Sequence, residues 1–479
     1  MSNTLSTPKQ ATNWSALLVL ISVFFFWGFV AASNGILIPL FKEKLNLTQT
    51  KAQLVDFAFY IAYFVGAMIY LLVAQAIKQD PLNKIGFKNG IVYGLLVSAM
   101  GSLLFFPAAQ MQSFPLMLAA LFVVGLGFSL QQTSAQPLAI ALGDASTGAQ
   151  RLNLAGGVNN FGTTLGPVLL SYAIFGDISQ GSVKTVSSIE SIQYPYLILG
   201  AFFVLFALIF KFSSLPAVKN DVTIEQGFGA LKYPQLVLGM VAIFTYVGVE
   251  VAIGSNLGEY LKQTEGLDAS QISQYVSLFW GSMMIGRWSA AVAVFNPAKN
   301  RVVLLKIVAA YAAFLVFLGI NTLRGSDVSN LYPYALSIAI MLIANVLSRD
   351  KPARQLFIFS SLGVLFMLVG LLTTGKVALY AFMSGGLCCS VLWPCIFTLS
   401  IAGLGKFTSQ GSALLIAMIL GGAIVPPLQG LLADSTNIRL SYIVPAIGFV
   451  YLAWFAVAVT QILKRQGIDF EASEAVSGH

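Results

Sequence analysis

The sequence predicts an all-α membrane protein of about fourteen spans, and three features carry that prediction. Hydrophobic residues make up 57% of the 479-residue chain, charged residues only 9%, and mean hydropathy is +0.82. Soluble domains of this size need far more charge. Apolar runs of about 20 residues, long enough to cross a hydrocarbon core, recur along the whole chain. The basic residues divide unevenly between alternate loops, as membrane orientation requires.

Apolar runs between polar punctuation predict six spans near 14–40, 52–77, 88–107, 114–142, 152–175 and 194–214. These form an N-terminal bundle, 14–214, followed by a polar linker, 215–232, with Lys219, Asp221 and Glu225. The C-terminal bundle, 233–464, contains spans near 234–261, 271–295, 302–322, 331–348, 355–374, 377–404, 410–433 and 440–463. Six spans before the linker and eight after it imply one additional helix pair, near 302–348.

Positive charge supports that count. With both termini cytoplasmic, seventeen Lys and Arg fall on the inner side and eight on the outer, with Arg287 inside a span. Keeping both extra spans retains the basic loop from Ser348 to Arg354 inside; losing one would expel it or invert everything downstream.

Several function classes lack support. The net charge of +8 is scattered over short loops and forms no nucleic-acid patch. Cys388, Cys389 and Cys395 share one apolar segment without metal-ligand spacing, and the single histidine is His479. No nucleophile–base pair or metal cluster is visible, so no enzyme and no cofactor is expected beyond a coupling ion, H+ or Na+. The first thirteen residues are polar and do not read as a cleavable leader.

Of 18 acids, only Asp56 and Glu250 lie inside apolar segments. Ionisable groups in hydrocarbon are expensive and mark ion or substrate paths. Glu250 is deep in its span and is the expected site of cation coupling. Asp56, one turn inside the end of span two, is expected as a cap or gate, with coupling as its alternative role. Amides both donate and accept, which suits a hydroxyl-rich ligand. Asn34, Gln131, Gln132, Gln136, Asn159, Asn160 and Asn256 lie in or near spans, and Gln132 and Gln136 share a helix face. Trp27, Phe57, Tyr60, Trp280 and Trp393 could cover the apolar face of a pyranose; amides that glue helices and aromatics that pack them are the competing readings. Gly and Pro recur in corresponding places, at Gly156-Gly157 and Gly166-Pro167 in one half and at Gly421-Gly422 and Pro426-Pro427 in the other. Such an echo points to a transporter built from repeats.

The loop Asn83-Lys-Ile-Gly-Phe-Lys88 resembles the short basic latch of the major facilitator superfamily, with Asn83 where that latch has an acid. It makes Lys84 and Lys88 gating candidates, and Arg287 a candidate for the counterpart in the second half. The stretches 151–162 (RLNLAGGVNNFG), 246–255 (YVGVEVAIGS), 280–287 (WGSMMIGR), 405–412 (GKFTSQGS) and 421–426 (GGAIVP) resemble the fucose:proton symporter family of that superfamily. The resemblance covers about 20–455 and includes bacterial glucose/galactose carriers; the two extra spans look like a subgroup. It implies two six-helix bundles plus the additional pair, and a monomeric sugar importer of the bacterial inner membrane, driven by protons or sodium and in contact with lipids and a small sugar. The chain departs from the fucose carrier at two acids, where it has Gly35 and Gln132. Neither can titrate, which leaves Glu250 as the expected coupling group. A non-transporting sugar sensor and an exporter of small molecules are the alternatives. The sensor would be expected to append a signalling domain, whereas only a short tail follows 463, and an exporter of apolar compounds would be expected to place fewer amides in its site.

Overall fold

A computed structural model describes residues 11–47, 49–175, 189–216, 228–267 and 269–469. The helices in chain order are α1 (Trp14–Lys44), α2 (Gln49–Ala76), α3 (Pro81–Ile85), α4 (Phe87–Gln110), α5 (Phe114–Ala141), α6 (Gly148–Phe175) and α7 (Gln193–Phe212). After the linker come α8 (Pro234–Glu265), α9 (Ala269–Ala291), α10 (Val302–Leu323), α11 (Ala335–Leu347), α12 (Pro352–Leu372), α13 (Gly375–Cys389), α14 (Leu392–Ile401), α15 (Thr408–Ala417), α16 (Gly421–Ser435) and α17 (Ile443–Arg465). Most of the linker, 217–227, lies outside the described residues.

Among the described residues, thirteen helical segments are long and apolar enough to span a bilayer. The fourteenth, α6, has the length but falls short in hydropathy. The reason is its inward face, where Asn153, Gly156, Gly157, Asn159 and Asn160 replace apolar residues. Two spans that the sequence presents as continuous are broken. The span near 377–404 divides at Ser390 and Val391 into α13 and α14, and the span near 410–433 is interrupted by a 3-10 turn at Met418–Leu420. Leu72, Leu205, Leu315 and Leu368 stand exposed on the outside, as lipid-facing side chains do.

The two halves repeat one packing plan. In the first, α1 packs on α6, α5 on both α2 and α4, and α4 on α7. In the second, α8 packs on α16, α13 on both α9 and α12, and α12 on α17. The corresponding pairs α1–α6 and α8–α16 are both brought close by glycine. A Cβ on Gly28 would sit 1.9 Å from Asn159 O, and one on Gly421 would sit 1.9 Å from Phe244 O. Helix backbones approach this closely only where a side chain is missing.

Helices α10 and α11 have no counterpart in the first half. They stand between α9 and α12, where the first half has only the short helix α3 between α2 and α4. Proline at its first position and the Asp80 carboxylate, which accepts from the Leu82 and Asn83 amides at 2.9 and 3.3 Å, start α3.

The first and last described segments lie at one end of the bundle, where Asn13 N donates to Leu142 O and Gln235 Nε2 to Gln466 Oε1, and the halves meet there. Asn83 Nδ2 donates to Lys406 O at 3.1 Å, and Ser412 Oγ to Thr133 O at 2.9 Å. Gln150 Nε2 donates to Asp350 O, while Lys306 Nζ holds the Asp350 carboxylate at 2.7 Å. Trp288 Nε1 donates to Gly157 O at 3.2 Å, deeper in the bundle.

Candidate functional site

Above this closed end lies a half-enclosed cavity of about 530 Å³ between the halves. It is walled by α1, α2, α5 and α6 on one side and by α8, α9, α10 and α14 on the other. Its floor is formed by Gly156, Asn160 and Arg287, and it reaches Arg324 beyond the far end of α10.

Amides and aromatic rings line it together. Gln132 donates through Nε2 to Tyr63 Oη at 3.2 Å, and Asn159 through Nδ2 to Phe24 O at 2.9 Å. Gln136 also faces the cavity, and its Oε1 is buried without a partner. Such an atom is a ready acceptor, because a buried carbonyl left unpaired costs about 1–3 kcal/mol. Trp27, Tyr60, Trp280 and Trp393 contribute rings to the wall. Rings with a polar edge nearby suit a ligand that is apolar on one face and hydroxylated around its rim.

Glu250 lines the cavity from α8 and feels the charge of Arg287. Among the described residues no side-chain nitrogen lies within ion-pair distance of its carboxylate. Arg287 is instead committed to oxygens: Nε to Ser390 O at 2.9 Å, and Nη1 to Gly156 O at 3.3 Å and Asn160 Oδ1 at 2.7 Å. Arg287 thus lies in the cavity wall, ahead of the 3-10 turn Val292–Phe295 that ends its span, and it joins the two halves there through Gly156 O and Asn160 Oδ1.

Other expected residues separate by helix face. Gln132, Gln136, Asn159, Asn160 and Trp280 come together in the cavity. Gln131 does not. It is fully buried, accepts from Trp27 Nε1 at 2.9 Å and donates to Ser98 Oγ at 2.9 Å, so it ties α1, α5 and α4 together. Asn256 folds back on its own helix, with Nδ2 on Ala252 O at 2.9 Å, and is absent from the cavity lining. Phe57 is exposed on the outside. The side chains of Asn34 and Asp56 lie outside the described set. Of the latch, Lys84 is exposed and Lys88 Nζ bonds Ser213 O at 2.7 Å within its own half; Asn83 is the residue that crosses.

The cavity also holds residues that were not anticipated: Tyr63, Tyr246, Thr163, Thr164, Ser277, and a face of α10. That face is Phe317, Ile320, Asn321 and Arg324, at spacings of three, four and seven, a helical signature legible in the sequence.

A family model described as Major Facilitator Superfamily matches residues 18–348. The chain belongs to that superfamily. Its relatives there are transporters and symporters, not enzymes. The chain is 34% identical to the glucose/galactose transporter of Brucella abortus biovar 1 (strain 9-941) over 454 residues, covering 94% of this chain and 95% of that one. It is 28% identical over 461 residues to the L-fucose-proton symporter of Escherichia coli (strain K12), covering 91% of each. A crystal structure of the E. coli fucose:proton symporter superposes with a TM-score of 0.71 at 25% identity, covering 93% of this chain and 98% of that one. Another, of a Major Facilitator Superfamily transporter in the outward conformation, gives 0.71 at 26%, with the same coverage. A superfamily member closed at one end and hollow above it has the architecture of a multi-pass carrier.

Proposed function

We propose that this protein is a secondary active importer of a neutral hexose, such as glucose or galactose, with fucose or an amino sugar as related possibilities. It would work as a monomer in a bacterial inner membrane, with both termini cytoplasmic. The observation that supports this most is the cavity itself. Amide groups of Gln132, Gln136, Asn159 and Asn160 converge with the rings of Trp27, Trp280 and Trp393 in a volume of about 530 Å³, within the range of small-molecule sites. The names of the relatives favour the same substrate class.

The chemistry follows from the wall. Sugar hydroxyls exchange water for the amides, and the less polar ring face lies against indole. Glu250 carries the coupling. A carboxyl group at this depth must either take a proton and become neutral or keep its charge beside a positive one, a sodium ion or the Arg287 guanidinium. Loading sugar and cation from the open side, then parting the contacts around Asn83, Gln150 and Trp288, would deliver both to the other side.

Uptake of a labelled hexose panel into proteoliposomes, with proton and sodium gradients imposed separately, tests the reading. One gradient should drive accumulation of a hexose above equilibrium. Failure of every hexose to enter faster than into empty liposomes would overturn it, and equal uptake without any gradient would reduce the protein to a facilitator.

A further inference from the structure

We propose that α10, the helix without a counterpart in the first half, supplies a specificity-determining acceptor to the cavity through Asn321 Oδ1. The inference rests on the sugar-carrier reading above.

Asn321 is 3% exposed, lines the cavity, and spends Nδ2 on Phe317 O at 2.9 Å, one turn back. Its Oδ1 is buried and has no partner. Nδ2 already bonds Phe317 O, so the wholly unmet atom of this amide is an acceptor, which takes a donor from the ligand, a hydroxyl or an amide N–H. A buried carbonyl that finds its partner only in the ligand discriminates strongly against a ligand lacking that group.

The helix is held firmly enough for this role. Phe317 lies directly on Gly281 of α9, where a Cβ would come within 2.6 Å of its ring. At the same end of the pair, Tyr311 Oη donates to Ala335 O at 3.1 Å, and the Tyr334 hydroxyl bonds Ser282 Oγ at 2.8 Å and Met383 O at 3.1 Å. At the other end Lys306 grips Asp350. The opposite face of α10 presents Leu304, Val308 and Leu315 outward. So α10 is a fixed wall with one lipid face and one ligand face, and Asn321 is placed to read a single position on the sugar.

The test uses the full chain in proteoliposomes and competes labelled glucose or galactose with the singly deoxy and singly O-methyl derivatives of each. The parent should bind one derivative roughly five- to tenfold more weakly than the intact sugar. Asn321→Leu, close in size but without the acceptor, should erase that discrimination at the one position and leave the ranking of the others intact. Asn321→Asp keeps the acceptor and should restore it. If Asn321→Leu does not fold, Asn321→Ala removes the same acceptor with a smaller side chain. An unchanged ranking in the variant, or a uniform loss over all derivatives, overturns the inference while leaving the carrier reading in place. A parent that takes no hexose at all defeats both.

Discussion

Arg287 on α9 donates through Nη1 to Asn160 Oδ1 on α6 at 2.7 Å, so the cation on the cavity floor is bonded across the boundary between the two halves. Charge-assisted hydrogen bonds in low dielectric are stronger than neutral ones. This bond therefore favours the arrangement that is closed at the end where Asn83 bonds Lys406 O.

Replacing Asn160 by Ala removes the acceptor and should cost the closed arrangement about 1.5–3 kcal/mol, at least tenfold in its equilibrium with the opened one. A cysteine at Ser409, buried between the halves at that end, reports it. Maleimide should label it several-fold faster in the Asn160→Ala background, and an unchanged rate would mean that the bond does not distinguish the two states.

Glu250→Gln keeps the shape and hydrogen bonding of the side chain but cannot ionise. Exchange of sugar across the membrane should persist while gradient-driven accumulation disappears. Accumulation equal to that of the parent would make Glu250 a structural residue.

The cavity amides should differ from their neighbours. Gln132→Ala, Gln136→Ala and Asn159→Ala should each weaken apparent sugar affinity by about 1–2 kcal/mol, or five- to thirtyfold. Asn256→Ala should leave affinity unchanged, since that amide bonds Ala252 O. Gln131→Ala should lower the melting temperature in detergent, because it releases both Trp27 Nε1 and Ser98 Oγ. Titrations on the five purified variants give the comparison.

Asp80, in the turn before α3, is 1% exposed and bonded by Tyr70 Oη. Burial pushes its carboxyl above the ordinary range, outweighing the hydrogen bonds that pull it down. A raised folded-state value means the stability of the neutral form is present at low pH and lost as pH climbs through that value. Asp80→Asn is neutral at every pH and keeps the capping oxygen, so it should melt no lower than the parent near neutrality. The gap should close on acidification. Asp80→Ala loses the cap and should be destabilised by about 1 kcal/mol.

The two helices beyond the repeat give a topological test. Lys299→Cys and Ser329→Cys, both exposed, lie at opposite ends of α10 and should react with an impermeant reagent from opposite sides of the membrane. Reaction from the same side would remove α10 as a span.

Spans, halves and the extra pair are legible in the chain because hydropathy and charge asymmetry are properties of whole segments. The site is only partly so. Gln131 and Gln132 are adjacent and chemically identical, yet a step of about 100° around α5 sends one into helix packing and the other into the cavity. Gln136, one turn from Gln132, marked the correct face. Arg287 depends on a neighbour distant in sequence, Asn160 lying 127 residues away, whereas Asn256 turns back onto Ala252 O within its own helix. The 317–324 face of α10 could have been found from its spacing; a basic residue at a helix end reads more readily as a loop charge.

Four of the bonds that join the halves at the closed end are neutral. Asn83 and Gln150 donate amides to main-chain carbonyls, Ser412 a hydroxyl, and Trp288 an indole N–H. The ion pair nearby, Lys306 with Asp350, stays within one half. Mobile ions screen charges at a distance but scarcely weaken a neutral hydrogen bond at contact. These four bonds should thus hold equally well in dilute and in concentrated electrolyte, whereas exposed Arg–Asp pairs across the same boundary would weaken as salt rises.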